Sequence, residues 1–323
     1  MEGKEALLII NPVSGTRSKH GLITTVMERL SQRGVKVKCE ITKGKGDASR
    51  MASEAAAKRM DFVISAGGDG TVNEIANSLS HTSTALGIIP LGSGNGLARS
   101  LGIPQDVNES LKVIEEGHIL TCDRGIVNDF PFYCTFGLGF DAAVSEKFAT
   151  MKRRGKVTYV RSALREFLRY RSEPYVIATD GNVLTDSAFL IAVCNAPQYG
   201  NNAYIAPKAQ LSDGLLDITV VHKDSTLMAI KMGVDLMTGY LDRNTGIKTL
   251  KIKEAKISRL SEGPVHLDGE PMTLGKTLHI TCDPGALRVF APEKEPVFKP
   301  IVSPLRAMFD DIFYDMMARL NNN

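Results

Sequence analysis

Residues Phe62 to Glu74 run from an apolar strand through clustered glycines into a helix, and this junction restricts the fold more than any other stretch of the 323-residue chain. Phe62-Val63-Ile64-Ser65-Ala66 reads as a short buried strand, Gly67-Gly68-Asp69-Gly70 as a turn, and Thr71-Val72-Asn73-Glu74 as the head of a helix. Glycines in such a turn open backbone conformations closed to other residues and let bare amides approach an anion. Thr71 can cap the helix, whose N-terminal amides favour phosphate, and Asp69 can hold Mg²⁺ directly or through water. A Gly-rich turn with no ligand would not need a carboxylate among its glycines.

The alternation extends on both sides of this junction. Ala6–Asn11, Val35–Thr42, Asp61–Ala66 and Ala85–Pro90 predict strands, with helices at His20–Gln32, Asp47–Met60 and Thr71–Leu79. Strands joined in this way form a mostly parallel sheet with helices on both faces, and ligands lie beyond the carboxyl ends of the strands. Three of these strands end there in polar or Gly-rich loops: Asn11-Pro12-Val13-Ser14-Gly15, Gly67 to Thr71, and Leu91-Gly92-Ser93-Gly94-Asn95-Gly96. The loops are expected to converge on one crevice. After about Gly117 the pattern turns β-rich, with strands predicted at Ile119–Asn128, Phe132–Gly137, Tyr175–Asp180, Ser187–Asn195, Leu216–His222, Thr249–Ser258, Thr277–Cys282 and Ala286–Ala291. The expected organisation is an α/β domain over residues 1–120, a largely antiparallel β domain over 121–296, and an amphipathic helix within 297–323. In that helix Leu305, Phe309, Ile312, Phe313 and Leu320 lie opposite Asp310, Asp311 and Asp315. Its net acidic polar face disfavours an anionic membrane, which favours docking onto the core over a membrane-surface helix or a homodimer helix.

Composition removes several classes. The five cysteines form no C-x-x-C pair and no zinc spacing with the six histidines, which points to a reducing cytosol. No segment approaches a membrane span, and the apolar strand near the start is too short for a signal sequence. A formal net charge of +3 does not suggest a nucleic-acid partner. The charge is unevenly spread, however, with nine basic and two acidic residues from Lys147 to Tyr175. Arg161, Arg165 and Arg169 recur there every fourth residue, as either a solvated helix face or a surface for anionic headgroups. The P-loop, dinucleotide, zincin and hydrolase-elbow signatures are all absent.

Seven motifs are present, in order along the chain. They are Asn11-Pro12-Val13-Ser14-Gly15; Thr42 ahead of Gly46-Asp47-Ala48; Gly67 to Glu74; Pro90-Leu91-Gly92-Ser93-Gly94-Asn95; Gly137-Leu138-Gly139-Phe140-Asp141-Ala142; Ser212-Asp213-Gly214-Leu215-Leu216-Asp217; and Leu267-Asp268-Gly269-Glu270-Pro271. This order and spacing resembles the diacylglycerol kinase catalytic-domain superfamily, which includes bacterial lipid kinases, sphingosine kinases and ceramide kinases. The resemblance runs through nearly the whole chain. It implies an N-terminal nucleotide-binding α/β domain like that of NAD kinase and phosphofructokinase, a C-terminal β-sandwich domain, and an active site in the cleft between them. It implies ATP on Asn11, Pro12, Ser14, Gly15, Thr42, Gly67, Gly68, Asp69, Gly70, Thr71, Asn73, Glu74 and Ser93. A structural Mg²⁺ is implied on Asp213 and the backbone carbonyls of Gln210 and Leu215, with Asp69 and Asp123 reached through water. The base that takes the lipid hydroxyl proton is implied within Asp268-Gly269-Glu270, with Glu270 preferred, and a headgroup contact is implied at Asp141. Taken alone, Asp213 is turn chemistry, Asp141 a helix N-cap and Asp123 a strand-end acid. Asp268 and Glu270 would face the same side of an extended strand unless Gly269 marks a turn.

One loop departs from the family pattern. Many bacterial members read Gly-Thr-x-Asn-Asp where this chain reads Gly92-Ser93-Gly94-Asn95-Gly96, so the hydroxyl is kept and an acid is lost. That version looks more like the sphingosine and ceramide kinases, which leaves the acceptor open between diacylglycerol and a sphingoid or ceramide-type lipid. The expected activity is ATP-dependent phosphorylation of a lipid hydroxyl by a cytoplasmic protein peripheral to the membrane. An NAD kinase or phosphofructokinase-like kinase of a soluble substrate shares the Gly-Gly-Asp-Gly loop, but the motifs at 212–214 and 268–270 oppose it. A non-catalytic membrane-binding module is opposed by the retention of Asp69, Asp268 and Glu270.

Overall fold

The computed structural model describes residues 1–14, 19–149, 170–179, 181–199, 203–222, 235, 240–241 and 246–294. Gly15, the arginines at 161, 165 and 169, and the helix expected within 297–323 lie outside the described residues.

Successive residues of β1 (Glu5–Ile10) serve opposite faces of the sheet, as a period of two requires. Leu7 and Ile9 enter one hydrophobic core, while Ala6, Leu8 and Ile10 enter another. A strand apolar on both sides belongs inside a sheet covered on both sides. Helix α1 (Lys19–Gln32) covers one face with Leu22, Val26 and Leu30 before β2 (Lys36–Ile41) returns parallel to β1. Helix α2 (Asp47–Ala57) covers the other face with Ala48, Met51, Ala52 and Ala55. Next come β3 (Phe62–Gly67), α3 (Asp69–Leu79) and β4 (Ala85–Pro90), which give four parallel strands in the order β2-β1-β3-β4. Because the chain winds in opposite directions from β1 and β3, the ends of those two strands flank a crevice. The first half closes with α4 (Gly96–Ser100) and α5 (Val107–Glu116). Asp106 caps α5 by accepting from the Asn108 and Glu109 amides, and Gly117 at φ 77 ends it.

The second half begins with β5 (Ile119–Val127), β6 (Phe130–Phe132), β7 (Thr135–Gly139) and α6 (Phe140–Ala149). It continues with β8 (Glu173–Thr179), β9 (Asn182–Ala188), β10 (Leu190–Cys194), β11 (Leu216–Val221) and β12 (Ile247–Ile252). The last strands are β13 (Glu254–Arg259), β14 (Gly263–Leu267), β15 (Glu270–Leu274) and β16 (Thr277–Phe290). Among the described residues, a six-stranded antiparallel sheet in the order β12-β11-β10-β7-β14-β15 faces part of a ten-stranded sheet. Phe136, Leu138, Ile191, Val193, Ile218 and Val265 from the smaller sheet share one core with Tyr175, Ile177, Ile257, Leu278 and Ile280 from the larger, which makes a β-sandwich. The expected combination of an α/β domain and a β-sandwich is the architecture found.

The larger sheet does not break at the boundary read from composition. Strand β16 pairs with β13 at its start, with β5 along its length, and with β4 in parallel at Val289 and Leu86. The chain's last described strand thus returns to the first domain's sheet. The segments expected as strands at 277–282 and 286–291 are one strand, with an irregularity between Asp283 and Leu287. Pro284-Gly285 reads as a break in sequence, but a bulge absorbs it without ending the pairing. Conversely, the single strand expected at 249–258 divides at Lys253, where the chain passes from the smaller sheet to the larger. Neither the β14–β15 hairpin nor the largely polar edge strand β9 was legible as an apolar run.

Candidate active site

The ends of β1, β3 and β4 are tied together by hydrogen bonds. Asn11 N–H donates to the Ala66 carbonyl at 3.0 Å and Leu91 N–H to the Gly67 carbonyl at 2.8 Å. Asn11 Nδ2 donates to Thr71 Oγ1 at 2.9 Å, while its Oδ1 accepts from Val13 N–H at 3.1 Å and so shapes the turn containing Pro12. Asp69, the first residue of α3, accepts from Asn95 N–H on Oδ2 at 2.8 Å and from Gly96 N–H on Oδ1 at 2.6 Å. Its carboxylate is therefore the post on which the third loop is folded. Asn95, at φ 52, completes that loop by accepting from Gly92 N–H at 3.0 Å and donating to the Gly92 carbonyl at 2.9 Å. A methyl group at position 92 would stand 2.7 Å from Gly68 Cα, so glycine is required where the two loops meet backbone to backbone.

Two expectations for this region are corrected. Gly67, Gly68 and Gly70 adopt no positive φ; at Gly67 and Gly68 the missing side chain serves close approach rather than a left-handed turn. Helix α3 begins at Asp69 with Gly68 at the N-cap and no side-chain cap, so Thr71 lies inside the first turn and its hydroxyl serves Asn11 instead. Around the same rim, Thr42 N–H donates to the Ile10 carbonyl at 2.9 Å and Gly46 N–H to Glu74 Oε1 at 3.0 Å. Ser14 Oγ would lie 3.9 Å from a methyl group on Gly68, and Ser93 is exposed in the third loop.

The second half contributes a hairpin turn. Asp268 and Gly269, at φ 49 and 87, form a two-residue turn between the paired residues Leu267 and Glu270, the geometry that Asp-Gly favours. Of the two readings open in the sequence, the turn is the one found, and the two acids do not share a strand face. Asp268 Oδ1 accepts from the Cys134 and Thr135 amides at 2.7 and 2.9 Å. Its Oδ2 accepts from the Tyr133 amide at 2.9 Å and from Asn73 Nδ2 at 3.0 Å. Burial holds this carboxyl above the usual carboxylate range, although the four donors oppose the shift. They also use the roughly four acceptor sites that a carboxylate has. Glu270 is exposed at the outer end of the turn. Asn73 belongs to α3, so the hydrogen bond from Asn73 to Asp268 joins the helix that follows the Gly67-Gly68 loop directly to the sandwich.

The acids expected around a structural Mg²⁺ have other partners. Asp123, buried in β5, accepts from Gly214 N–H at 2.7 Å and Gly285 N–H at 2.8 Å, so it holds two loops by itself. Asp213 Oδ1 accepts from Leu215 N–H at 3.0 Å, and its Oδ2 pairs with Lys251 Nζ at 2.7 Å. Lys251 also reaches Asp217 Oδ2 at 3.2 Å; burial pushes the Asp217 carboxyl up and this ammonium opposes it. Lys251 thus stands against Asp213, the side chain expected to hold a divalent ion with the Gln210 and Leu215 carbonyls and, through water, Asp69 and Asp123. An ammonium already neutralises Asp213. Like Asp123, Asp69 has one amide on each oxygen and a lone pair left on each, but it differs in being partly exposed.

Asp141, expected as a cap or a headgroup contact, lies in the first turn of α6 and is held on both oxygens. Oδ1 accepts from Ala142 N–H at 2.8 Å; Oδ2 accepts from the Tyr199 hydroxyl at 2.9 Å and from His266 Nε2 at 3.0 Å. Sequence reasoning missed Tyr199, His266 and Lys251. Tyr199 lies in a loop without a motif, and His266 gave no signal beyond standing two residues before the Asp-Gly turn.

The Gly-rich loops of a doubly covered parallel sheet are thus joined to a hairpin of a β-sandwich through Asn73 and Asp268. Residues 5–127 match the diacylglycerol kinase catalytic domain, and residues 135–291 match the YegS C-terminal NAD kinase beta sandwich-like domain. The chain is 31% identical over 271 residues to a "probable lipid kinase YegS-like" protein of Chromohalobacter salexigens, covering 82% of this chain and 87% of that one. It is 29% identical over 274 residues to the diacylglycerol kinase of Bacillus subtilis, covering 83% and 90%. The crystal structure of a diacylglycerol kinase from Bacillus anthracis matches it with a TM-score of 0.71 at 26% identity, over 90% of this chain and 97% of that one. The chain belongs to the diacylglycerol kinase catalytic-domain family, a family of lipid kinases, and membership implies ATP as the phosphoryl donor. No helix among the described residues is long and apolar enough to cross a membrane.

Proposed function

We propose that the protein transfers the γ-phosphate of ATP to the hydroxyl of a lipid, diacylglycerol or a sphingoid or ceramide-type lipid, drawn from a membrane surface. The observation that carries this reading is the 3.0 Å bond between Asn73 and Asp268. It holds the helix that starts at the phosphate loop and the turn that precedes Glu270 in one geometry, and alignment of donor and acceptor is most of what phosphoryl transfer asks of a protein. The nucleotide lies over the first-half loops, where the amides at the head of α3 and the hydroxyls of Ser14, Thr71 and Ser93 donate to phosphate oxygens, beside Thr42, whose own hydroxyl donates to the Ile10 carbonyl. Asp69, with a lone pair free on each oxygen, fits Mg²⁺ arriving with the triphosphate. When bound, that ion neutralises charge on the transferring phosphoryl group. Glu270 is the base that takes the hydroxyl proton, because it is exposed beside the turn, whereas the acceptor sites of Asp268 are filled. Asp141 and the arginines at 161, 165 and 169 are assigned to the lipid side, where basic side chains attract anionic headgroups.

Labelled ATP with Mg²⁺ and mixed micelles of diacylglycerol, ceramide or sphingosine tests the reading, with NAD⁺ and sugar phosphates as parallel acceptors. Label in a lipid product supports it and names the acceptor. Label only in a soluble product replaces it with the soluble-substrate kinase, and no labelled product from a total lipid extract refutes it.

A further inference from the structure

His266 is a polar residue that is only 2% exposed. Its neighbours Val265 and Leu267 on β14 point into the core between the sheets, so the period of the strand sends His266 to the opposite face. There its cross-strand partners are Gly137 and Pro271. A methyl group on Gly137 would overlap both His266 Nε2 and Asp141 Oδ2. The slot that holds the ring exists because Gly137 has no side chain.

The proton on this ring is assigned from two directions. Asp141 Oδ2 only accepts, so Nε2, 3.0 Å away, must carry the hydrogen. Nδ1 is then an acceptor, and Gly269 N–H donates to it at 3.4 Å. The Tyr199 hydroxyl gives Asp141 Oδ2 a second bond, and the Tyr199 ring stands edge-on to the imidazole with centroids 5.8 Å apart. Tyr199 also borders the nucleotide side, since its carbonyl lies 3.5 Å from where a methyl group on Gly96 would be.

We infer that His266 is a positioning residue for phosphoryl transfer. It fastens the Asp268-Gly269 turn at Gly269, as four donors fasten it at Asp268, and thereby positions the backbone that carries Glu270. The activity part of this inference rests on the lipid-kinase reading above; the structural part does not. Asp268 ties the turn to the helix of the phosphate loop, and His266 ties it to Asp141 at the head of α6. With both fastenings made, the chain leading into Glu270 is held at two successive residues.

Two substitutions separate the halves of the imidazole's role. In His266→Asn the amide oxygen falls near the place of Nδ1 and can still accept from Gly269, whereas in His266→Gln the amide reaches toward Asp141 and the acceptor for Gly269 is lost. Exchange of the Gly269 amide hydrogen, followed by NMR, is expected to accelerate in His266→Gln and His266→Ala and to stay near the wild-type rate in His266→Asn. In the lipid assay, His266→Gln and His266→Ala are expected to lose about tenfold or more in kcat with the KM for ATP within about twofold, the loss of one hydrogen bond at the turn. His266→Asn is expected to keep kcat within about threefold, because that bond is retained. Wild-type exchange at Gly269 in the Gln variant overturns the inference whether or not the wild-type enzyme acts on lipid. So does an Asn variant as slow as the Gln variant, or a Gln variant with wild-type kcat. If the Ala variant does not fold, the comparison of Asn with Gln decides alone. A wild-type protein that labels no lipid refutes the proposed function and leaves the exchange result standing.

Discussion

Replacing Asp268 by Asn removes a charge and converts one accepting oxygen into a donating NH₂. If that NH₂ takes the place of Oδ1, it faces the Cys134 and Thr135 amides, and two donors are orphaned. If it takes the place of Oδ2, it faces the Tyr133 amide and Asn73 Nδ2. Asn73 can turn its amide over and offer its oxygen, so this orientation leaves only the Tyr133 amide without an acceptor. A buried donor left unpaired costs about 1–3 kcal/mol, and the bonds that survive drop from charge-assisted to neutral, so the loss is about 2–5 kcal/mol in all. That is a large share of the ~5–15 kcal/mol that holds a typical domain together. Glu270→Gln alters an exposed residue and is expected to change stability by no more than about 0.5 kcal/mol. Urea denaturation and single-turnover phosphoryl transfer on the two variants together test the assignment. Asp268→Asn should unfold at markedly lower urea and transfer slowly, whereas Glu270→Gln should unfold with the wild type and transfer almost nothing. An Asp268→Asn protein as stable as the wild type refutes the four-donor argument, and a Glu270→Gln protein with wild-type transfer refutes the base.

Three further outcomes follow from particular contacts. Asp69→Asn leaves the Asn95 or the Gly96 amide without its acceptor, about 1–3 kcal/mol, and is expected to weaken ATP binding by about tenfold or more in calorimetry; unchanged affinity would remove Asp69 as the post of the third loop. Lys251→Met leaves Asp213 beside the buried Asp217 with no cation between them, so its melting temperature without nucleotide should fall and become Mg²⁺-dependent, whereas the wild type's should ignore both Mg²⁺ and chelator. A wild-type melting temperature that rises with Mg²⁺ would show that a metal displaces the lysine. Burial raises the Asp283 carboxyl, but the bonds from His81 and Arg124 outweigh it and leave the group below the usual carboxylate range. A carboxyl lowered in the folded state stabilises it above the unfolded value of about 4, and that contribution is lost as pH falls through the folded value. Asp283→Asn should therefore flatten the fall in melting temperature below about pH 5, and an unchanged acid limb would count against the network.

Much of the first half was legible because its signals are local. The strands at 62–67 and 85–90 declare themselves by apolar runs, the helices between them by period, and the three loops by glycine and Asn. The second half was harder where the local signal misleads. Pro284-Gly285 reads as a stop but is a bulge in a continuous strand, and the run at 249–258 reads as one strand but changes sheet at Lys253. The site was legible as a set of acids and glycines, with Asp69, Asp213, Asp268 and Glu270 standing in motifs and Asp123 named only through the family resemblance.

What each acid does was decided only by tertiary structure. A carboxylate's role depends on what donates to it, and the donors come from far along the chain: Asn73 and the amides of 133–135 to Asp268, Lys251 to Asp213, and the Gly285 amide to Asp123. Periodicity and turn chemistry act over a few residues, so the sequence by itself determined the elements of the first half, its Gly-rich loops and the family. The ends of hydrogen bonds spanning tens to hundreds of residues are set by how two sheets pack. That packing made Asp268 a fastening, left Glu270 open, put Lys251 where a metal was expected, and brought His266 beneath the turn.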